Sequence, residues 1–418
     1  MASNASSAAR RQGGNLASSS VGIRARLGAP FAQRCAANTA SIEAVFKQAL
    51  GSGKLMLSSR NLEHAPLQAF LDAASSGMDG MNFWDVVDLA VLDLSHNNIR
   101  ELSAQELGSL RSLEVLNLNS NPITASGVPF EALGHLEMLK SLNLANTGQE
   151  GAFPEHVANC RRLVELVLNG NRVTRLPECM EFLEALEILA CANNMLTSLP
   201  TNMPMKLLRI DLTDNKLTEL PDSFASLVHL ESLELSKNRI TRVDCLSPLS
   251  SLKMLNLRQN ALTQLPPLPS GKIDTVLLGL NKIKTINTGH LMPCAGTLTL
   301  LDLSGNKLVS VPGELGCFGR LKSLDLMNND LNALPPSIGW LTSLDRFNVN
   351  GNAIRTIRRS IIDQGTEALK KYLRSRGPKH ELLPERWAMV DDIDAVAPAT
   401  AGQLGKAKKI ASFERMFD

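Results

Sequence analysis

Leucines recur along residues 89–352 in a fixed asymmetric pattern. It runs leucine, two variable residues, leucine, one variable residue, leucine, two variable residues, asparagine, one more residue and an aliphatic. Clear copies are LAVLDLSHNNI from Leu89, LEVLNLNSNPI from Leu113, LVELVLNGNRV from Leu163, LESLELSKNRI from Leu230, LKMLNLRQNAL from Leu252, LTLLDLSGNKL from Leu298 and LKSLDLMNNDL from Leu321. Leu116 and Leu118 flank a single outward residue, Asn117. Alternate strand side chains point to opposite faces, so this arrangement predicts a short strand whose leucines enter a core. The asparagine position is filled by Asn97, Asn121, Thr147, Asn171, Asn194, Asn215, Asn238, Asn260, Asn281, Asn306, Asn329 and Asn352, at spacings of 21 to 26 residues. An earlier, degenerate copy, KLMLSSRNL, carries Arg60 at that position, 37 residues before Asn97, and brings the count to about 13 repeats.

A period of this length with this motif is the mark of the leucine-rich repeat. The fold expected is an α/β solenoid, a horseshoe in which every repeat adds one strand to a concave parallel sheet. Each buried leucine is worth roughly 1.5 to 3 kcal/mol. The asparagines are structural: an amide both donates to and accepts from the buried backbone of adjacent coils, whose groups are costly to leave unpaired. Thr147 supplies only part of that bonding and sits at the longest spacing of the continuous array, which predicts a local irregularity. The return segments carry Leu176-Pro177, Leu199-Pro200, Leu220-Pro221, Leu265-Pro266, Val311-Pro312 and Leu334-Pro335. Proline disfavours regular helix and sets extended backbone before it, so short helical or 3₁₀ turns are expected on the convex side.

An exposed core must be covered at both ends. SIEAVFKQAL at 41–50 places Ile42, Val45, Phe46, Ala49 and Leu50 on one helical face, with Ser41 as cap and Gly51 as stop. PLQAFLDAA reads as a second short helix, and Trp84 as core packing before Leu89. After Asn352, Thr366 is read as the cap of a helix turning Leu369, Tyr372 and Leu373 inward, while Lys370, Lys371, Arg374 and Arg376 stay in water. The organisation expected is an Ala/Ser/Arg-rich disordered arm at 1–40, an N-terminal cap and degenerate first repeat at 41–88 and the solenoid at 89–357. A basic C-terminal helical cap at 358–378 and a flexible tail at 379–418 complete it.

Composition narrows the functions. Charged residues at 20% and hydrophobic ones at 44% are ordinary for a globular chain, while aromatics are only 4% and Tyr372 is the sole tyrosine. No apolar run approaches the roughly 18 residues of a transmembrane segment. With +5 on residues 1–42, +6 on 353–379 and −2 on 380–418, the total of +2 leaves −7 on residues 43–352. Phosphate contacts dominate nucleic-acid affinity, so an acidic ladder without interleaved aromatics argues against nucleic acid. Cys35, Cys160, Cys179, Cys191, Cys245, Cys294 and Cys317 form no close pair and no zinc spacing, which favours a reducing compartment. Cys191 fills a leucine position and reads as a buried thiol. GSGK at 51–54 is no phosphate loop, because Gln48 stands where the first glycine belongs and Leu55 follows the lysine. The seven histidines are scattered, and no nucleophile elbow occurs. No catalytic residue, cofactor, metal or small-molecule substrate is expected. The acid-free, Arg/Ser-rich arm also fits an organellar import signal, an alternative to a cytoplasmic location.

Three stretches carry a more specific resemblance: FKQALGSGKLMLSSRNLEHAP, the Phe83-Trp84-Asp85 entry leading to Asp88-Leu89, and GNAIRTIRRSIIDQGTEALKKYLRSR. Over residues 44–378 the chain resembles the leucine-rich-repeat-containing protein 40 group of the intracellular Ras-group leucine-rich-repeat proteins. It departs from the animal form, which resembles two such arrays in tandem. The resemblance implies a cytoplasmic, non-enzymatic interaction protein and supplies no active-site residues.

The outward column between strand leucines reads Asp93, Asn117, Asn143, Val167, Ala190, Asp211, Glu234, Asn256, Leu277, Asp302, Asp325 and Asn348. Either Asp and Asn are filler there or they form a recognition ladder. Val167, Ile188 and Ala190 predict one small apolar patch, and Leu277, Leu280 and Leu300 another. The site expected is a protein-docking face over Val167, Ile188, Ala190, Arg209, Asp211 and Glu234, with the partner's basic residues toward the two acids. The function expected is a protein–protein interaction scaffold in signal transduction. The alternative is a regulatory subunit of a signalling enzyme, in a phosphatase or small-GTPase pathway.

Overall fold

The computed structural model describes residues 39–76 and 86–377, with backbone alone at 39–41. Residues 1–38 of the expected arm, the tail and Trp84 lie outside the described residues. Thirteen strands form one parallel sheet. They are β1 (Lys54–Met56), β2 (Val91–Asp93), β3 (Val115–Asn117), β4 (Ser141–Asn143), β6 (Glu165–Val167), β8 (Ile188–Ala190), β9 (Arg209–Asp211), β10 (Ser232–Glu234), β11 (Met254–Asn256), β12 (Thr275–Leu277), β13 (Leu300–Asp302), β14 (Ser323–Asp325) and β15 (Arg346–Asn348). Pairing is in register throughout, so the central residues stack into a buried column from Leu55 through Leu92, Leu166 and Ile210 to Phe347. Opposite the sheet the coils return through 3₁₀ turns such as Glu178–Phe182, Asp222–Ser226 and Gly313–Cys317, each preceded by proline. Proline supplies the extended φ at the entry of these turns and has no N–H to leave unpaired.

The buried asparagines tie consecutive coils together. Asn215 accepts from the Leu196 N–H at 2.9 Å and donates to the carbonyls of Cys191 at 2.9 Å and Leu212 at 3.1 Å. Asn97 through Asn352 repeat this bonding down the array. At Thr147 the ladder breaks. Its hydroxyl donates to the Leu144 carbonyl in its own coil at 2.7 Å and meets Asn171 Oδ1 only at 3.4 Å, while Gln149, at the position Ile99, Ile123 and Val173 fill in other coils, reaches back to the Ile123 carbonyl. The displaced chain forms a side sheet of β5 (Glu150–Ala152) and β7 (Arg172–Arg175).

At the N-terminal end, α1 (Thr39–Ser52) and α2 (Leu67–Ser76) cover the first coil, with Phe46 and Phe70 meeting edge to face at 5.5 Å. Ile42, Phe46, Ala49 and Leu50 are buried as the spacing requires. The helix already begins at Thr39, so Ser41 lies inside it and is not its cap. The stop is Gly53, not Gly51. Its φ is +68°, and a Cβ there would stand 2.8 Å from the Asp88 carbonyl.

The C-terminal end corrects two expectations. After the short helices α3 (Ala104–Gly108), α4 (Phe130–Leu133) and α5 (Thr288–Leu291) between strands, helix α6 (Arg359–Asp363) leads to α7 (Thr366–Arg374), whose cap position is Gly365. Thr366 is the first helical residue, and its hydroxyl accepts the Phe347 N–H on the open edge of β15. Lys370 is not in water: it is 3% exposed, donating to the Leu344 carbonyl at 3.0 Å and to Glu367 at 2.8 Å. Arg374 likewise caps the Gly339 carbonyl while pairing with Glu367. The physical reason is the end of the sheet. With no further coil to bond the last backbone groups, long cationic side chains bury their stems and bring their donors to those carbonyls. Leu369 and Leu373 are buried and Tyr372 is half-buried, its hydroxyl donating to the Thr356 carbonyl.

Candidate functional site

Thirteen strands at about 4.8 Å make an inner face roughly 60 Å long. Strand alternation presents two outward columns on it, the first and third residues of each strand. The structure brings all six expected site residues together on four neighbouring strands. Val167 pairs with Ala190 and Ala190 with Asp211; Ile188 pairs with Arg209, and Asp211 with Glu234. Arg209 is exposed and the other five are half-buried.

The Asp/Asn column has a structural explanation. Asp93, Asn117, Asn143, Asp211, Asn256, Asp302, Asp325 and Asn348 each accept, through Oδ1, the backbone N–H two residues on, at 2.9 to 3.3 Å. A short carboxylate or amide closes the turn after its own strand, so these residues are selected by the turn. A contiguous recognition ladder is therefore not what the column encodes. The information lies in its four departures: Val167, Ala190, Glu234 and Leu277. At Ala190 the lost bond is replaced from the neighbouring coil, where Asn169 Oδ1 accepts the Ala192 N–H at 2.7 Å.

Two acids stand beside the first apolar window. Asp211 spends one oxygen on the Thr213 N–H, and Glu234 one on the Asn256 amide at 2.7 Å. Neither has an ion-pair partner among the described residues. Burial pushes the Glu234 carboxyl above the usual carboxylate range and Asp211 adds to this, while the Asn256 amide opposes it. The fold thus favours protonated Glu234. That advantage is present below the ordinary glutamate value of 4.5 and is lost as pH rises through the raised folded value, leaving an unfavourable charge at neutral pH. Glu234→Gln is expected to raise the urea midpoint at pH 7, with the gain shrinking toward zero at pH 4. An equal gain at both pH values would show that charge is not the cause.

The second apolar patch comprises Leu277 on β12, Leu300 on β13 and Leu280, which is 50% exposed. Arg258 reaches across it, with Nε 3.2 Å from Asp302 Oδ2, an ion pair whose N–H does not lie along a hydrogen bond. On the convex side, the short repeat after Asn194 forms no 3₁₀ turn, which opens a groove of about 430 Å³ beside Phe182, Met203 and Met205. Sequence reasoning missed this groove; the 21-residue spacing was its only signal. Among the described residues the cysteines assemble no reactive site. Cys191 is 1% exposed, its thiol pushed well up by burial and then by Asp211; burial also raises Cys160 to about 11 and Cys294 to about 12.

Stacked leucine strands, proline-entered return turns and a buried asparagine ladder define a leucine-rich-repeat solenoid. Residues 71–268 match the family model described as a leucine-rich repeat region, and residues 297–318 that of the leucine rich repeat. Podocan-like protein 1 of Mus musculus is 30% identical over 265 residues, 56% of this chain and 47% of that protein. The chain spans about half the length of the curated relatives it matches. A leucine-rich-repeat protein of Leptospira interrogans aligns with TM-score 0.50 and 25% identity, over 77% of this chain and 96% of its own. An internalin of Listeria monocytogenes aligns with TM-score 0.59 and 22% identity, over 76% and 89%. The chain is a leucine-rich-repeat protein.

Proposed function

We propose that this chain is a non-enzymatic scaffold that binds another protein on its concave face, over Val167, Ile188, Ala190, Arg209, Asp211 and Glu234. The observation that carries this reading is the break in the turn-closing column. At Val167 and Ala190 the chain gives up a side-chain bond to its own backbone and exposes apolar surface beside two carboxylates that no cation among the described residues pairs with. Turn chemistry does not ask for Val167, Ala190 or Glu234, whereas an interface core of small apolar contacts with a charged rim does.

A cytoplasmic location and a place among the intracellular Ras-group proteins form part of the proposal. They are supported by the end motifs around Gly53 and α7, and by the six cysteines of the described residues, none of which is in a disulfide. Solenoids present one architecture to many ligands, so the fold alone does not choose the partner or its signalling pathway.

Affinity purification of the full chain from cytosolic extract of its native cells, compared with Asp211→Lys/Glu234→Lys, tests the reading. Loss of one defined partner is expected, with unchanged circular dichroism and an intact N-terminal peptide. A regulatory-subunit role would show as a catalytic polypeptide among the lost proteins. An unchanged partner list at equal folding would refute the concave site, and a cleaved arm would point to import.

A further inference from the structure

Leu280 departs from every other position of its kind. The residue after each strand turn lies in the left-handed region, where the array places polar residues or glycine, such as Asn146, Asp214, Gly305 and Gly351. Leu280 takes φ +59° there with half its side chain in water. Leucine is disfavoured in this conformation, and exposing it forfeits its burial. Two glycines adjoin the window. A Cβ on Gly305 would stand 2.7 Å from Leu280 Cδ2, and one on Gly279 would stand 2.8 Å from Asp302 Oδ2, on the path of Arg258. Leu277, the last departure from the turn-closing column, and Leu300 complete this second apolar window.

The two windows are related by the sheet. From Val167 on β6 to Leu277 on β12 the order is β6-β8-β9-β10-β11-β12, five steps. At about 4.8 Å each, this separates the windows by roughly 24 Å. Asp211 and Glu234 lie between them, each with an oxygen free of any partner in the described residues. An extended peptide finds no sheet edge on this face, because each of these strands is already paired on both sides. A helix satisfies its own backbone and needs only side-chain contacts.

We propose that one amphipathic helix of a partner protein spans both windows, with an apolar anchor at each end and Lys or Arg residues between them facing Asp211 and Glu234. A rise of 1.5 Å per residue sets the anchors about 16 residues apart. This rests on the concave-face reading and specifies its occupant.

The test places a photoreactive benzophenone side chain at Val167 or at Leu277 in the full chain, in its native cells, and maps the cross-linked residues by mass spectrometry. Both probes are expected to label one polypeptide, at sites about 13 to 19 residues apart. At least two Lys or Arg residues should lie between the sites. Asp211→Lys/Glu234→Lys is expected to cut both yields about tenfold or more. Labelling of different polypeptides, of distant sites, or of sites joined by an acidic stretch would overturn the proposal. A product at Val167 with none at Leu277 would overturn it while leaving the concave-face reading standing. Silence at Val167 would sink both.

Discussion

Asn171→Ala is expected to destabilise the solenoid by about 4 kcal/mol, roughly twice the loss from Asn260→Ala, because several buried backbone groups lose their partners at once. Asn260 accepts one N–H, from Ile240, and donates to the carbonyls of Leu235, Leu257 and Arg258. Asn171 makes the same kind of donations, to Leu144, Leu168 and Asn169, but its Oδ1 gathers the N–H groups of Thr147, Gly148 and Gln149 at 3.1, 2.9 and 3.0 Å. It does so at a turn where Thr147 has no amide of its own and Gly148 takes φ +82°. Urea unfolding of matched variants measures the difference, and hydrogen exchange locates it: the amides of residues 147–149 should lose protection first. Equal losses at 171 and 260 would mean that the irregular turn is held by something else. The nearest-neighbour character of a solenoid keeps the effect local, so exchange near α1 should not change.

Gly339→Ala is expected to unseat the C-terminal cap. A Cβ at this position would stand 2.8 Å from the Lys370 carbonyl and 2.8 Å from the Arg374 nitrogen, both backbone atoms of α7. Neither can rotate away, so the helix must retreat. Overpacking of this kind costs about 1–3 kcal/mol. The retreat also lengthens the bonds from Lys370 to Leu344 and from Arg374 to Gly339, exposing a cation and the carbonyls it serves. Limited trypsin digestion reads this directly, with faster cleavage after Lys371 and Arg374 than in the parent chain. Gly319→Ala, where no atom lies within 4 Å of the added Cβ, is the control and should cleave at the parent rate. Unchanged cleavage in Gly339→Ala would show that α7 is not held by this contact.

Much of this was legible without coordinates. Period-two alternation inside each copy placed Val167, Ala190, Asp211 and Glu234 on one face, and the spacing of the copies placed them on neighbouring strands. The role of the Asp/Asn column was not legible. Whether Asp211 faces a partner or closes its own turn depends on where the Thr213 N–H points, a matter of backbone geometry after the strand. Lys370 misled for a related reason. Helical amphipathy sends a lysine to water, but α7 sits over carbonyls that lack a next coil, and those unpaired acceptors outweigh solvation of the ammonium.

By itself, the sequence determined the leucine-rich-repeat class, the strand count, the stacked core and the asparagine ladder, because each follows from short-range periodicity repeated many times. Tertiary structure alone decided what happens where the repetition fails. At Thr147 a donor was borrowed from Gln149, at the solenoid's end cations replaced a missing coil, and at Leu280 a strained leucine was left in the open. Those outcomes depend on which backbone groups a neighbouring coil leaves unpaired, and on the space it leaves beside them, which local periodicity does not encode.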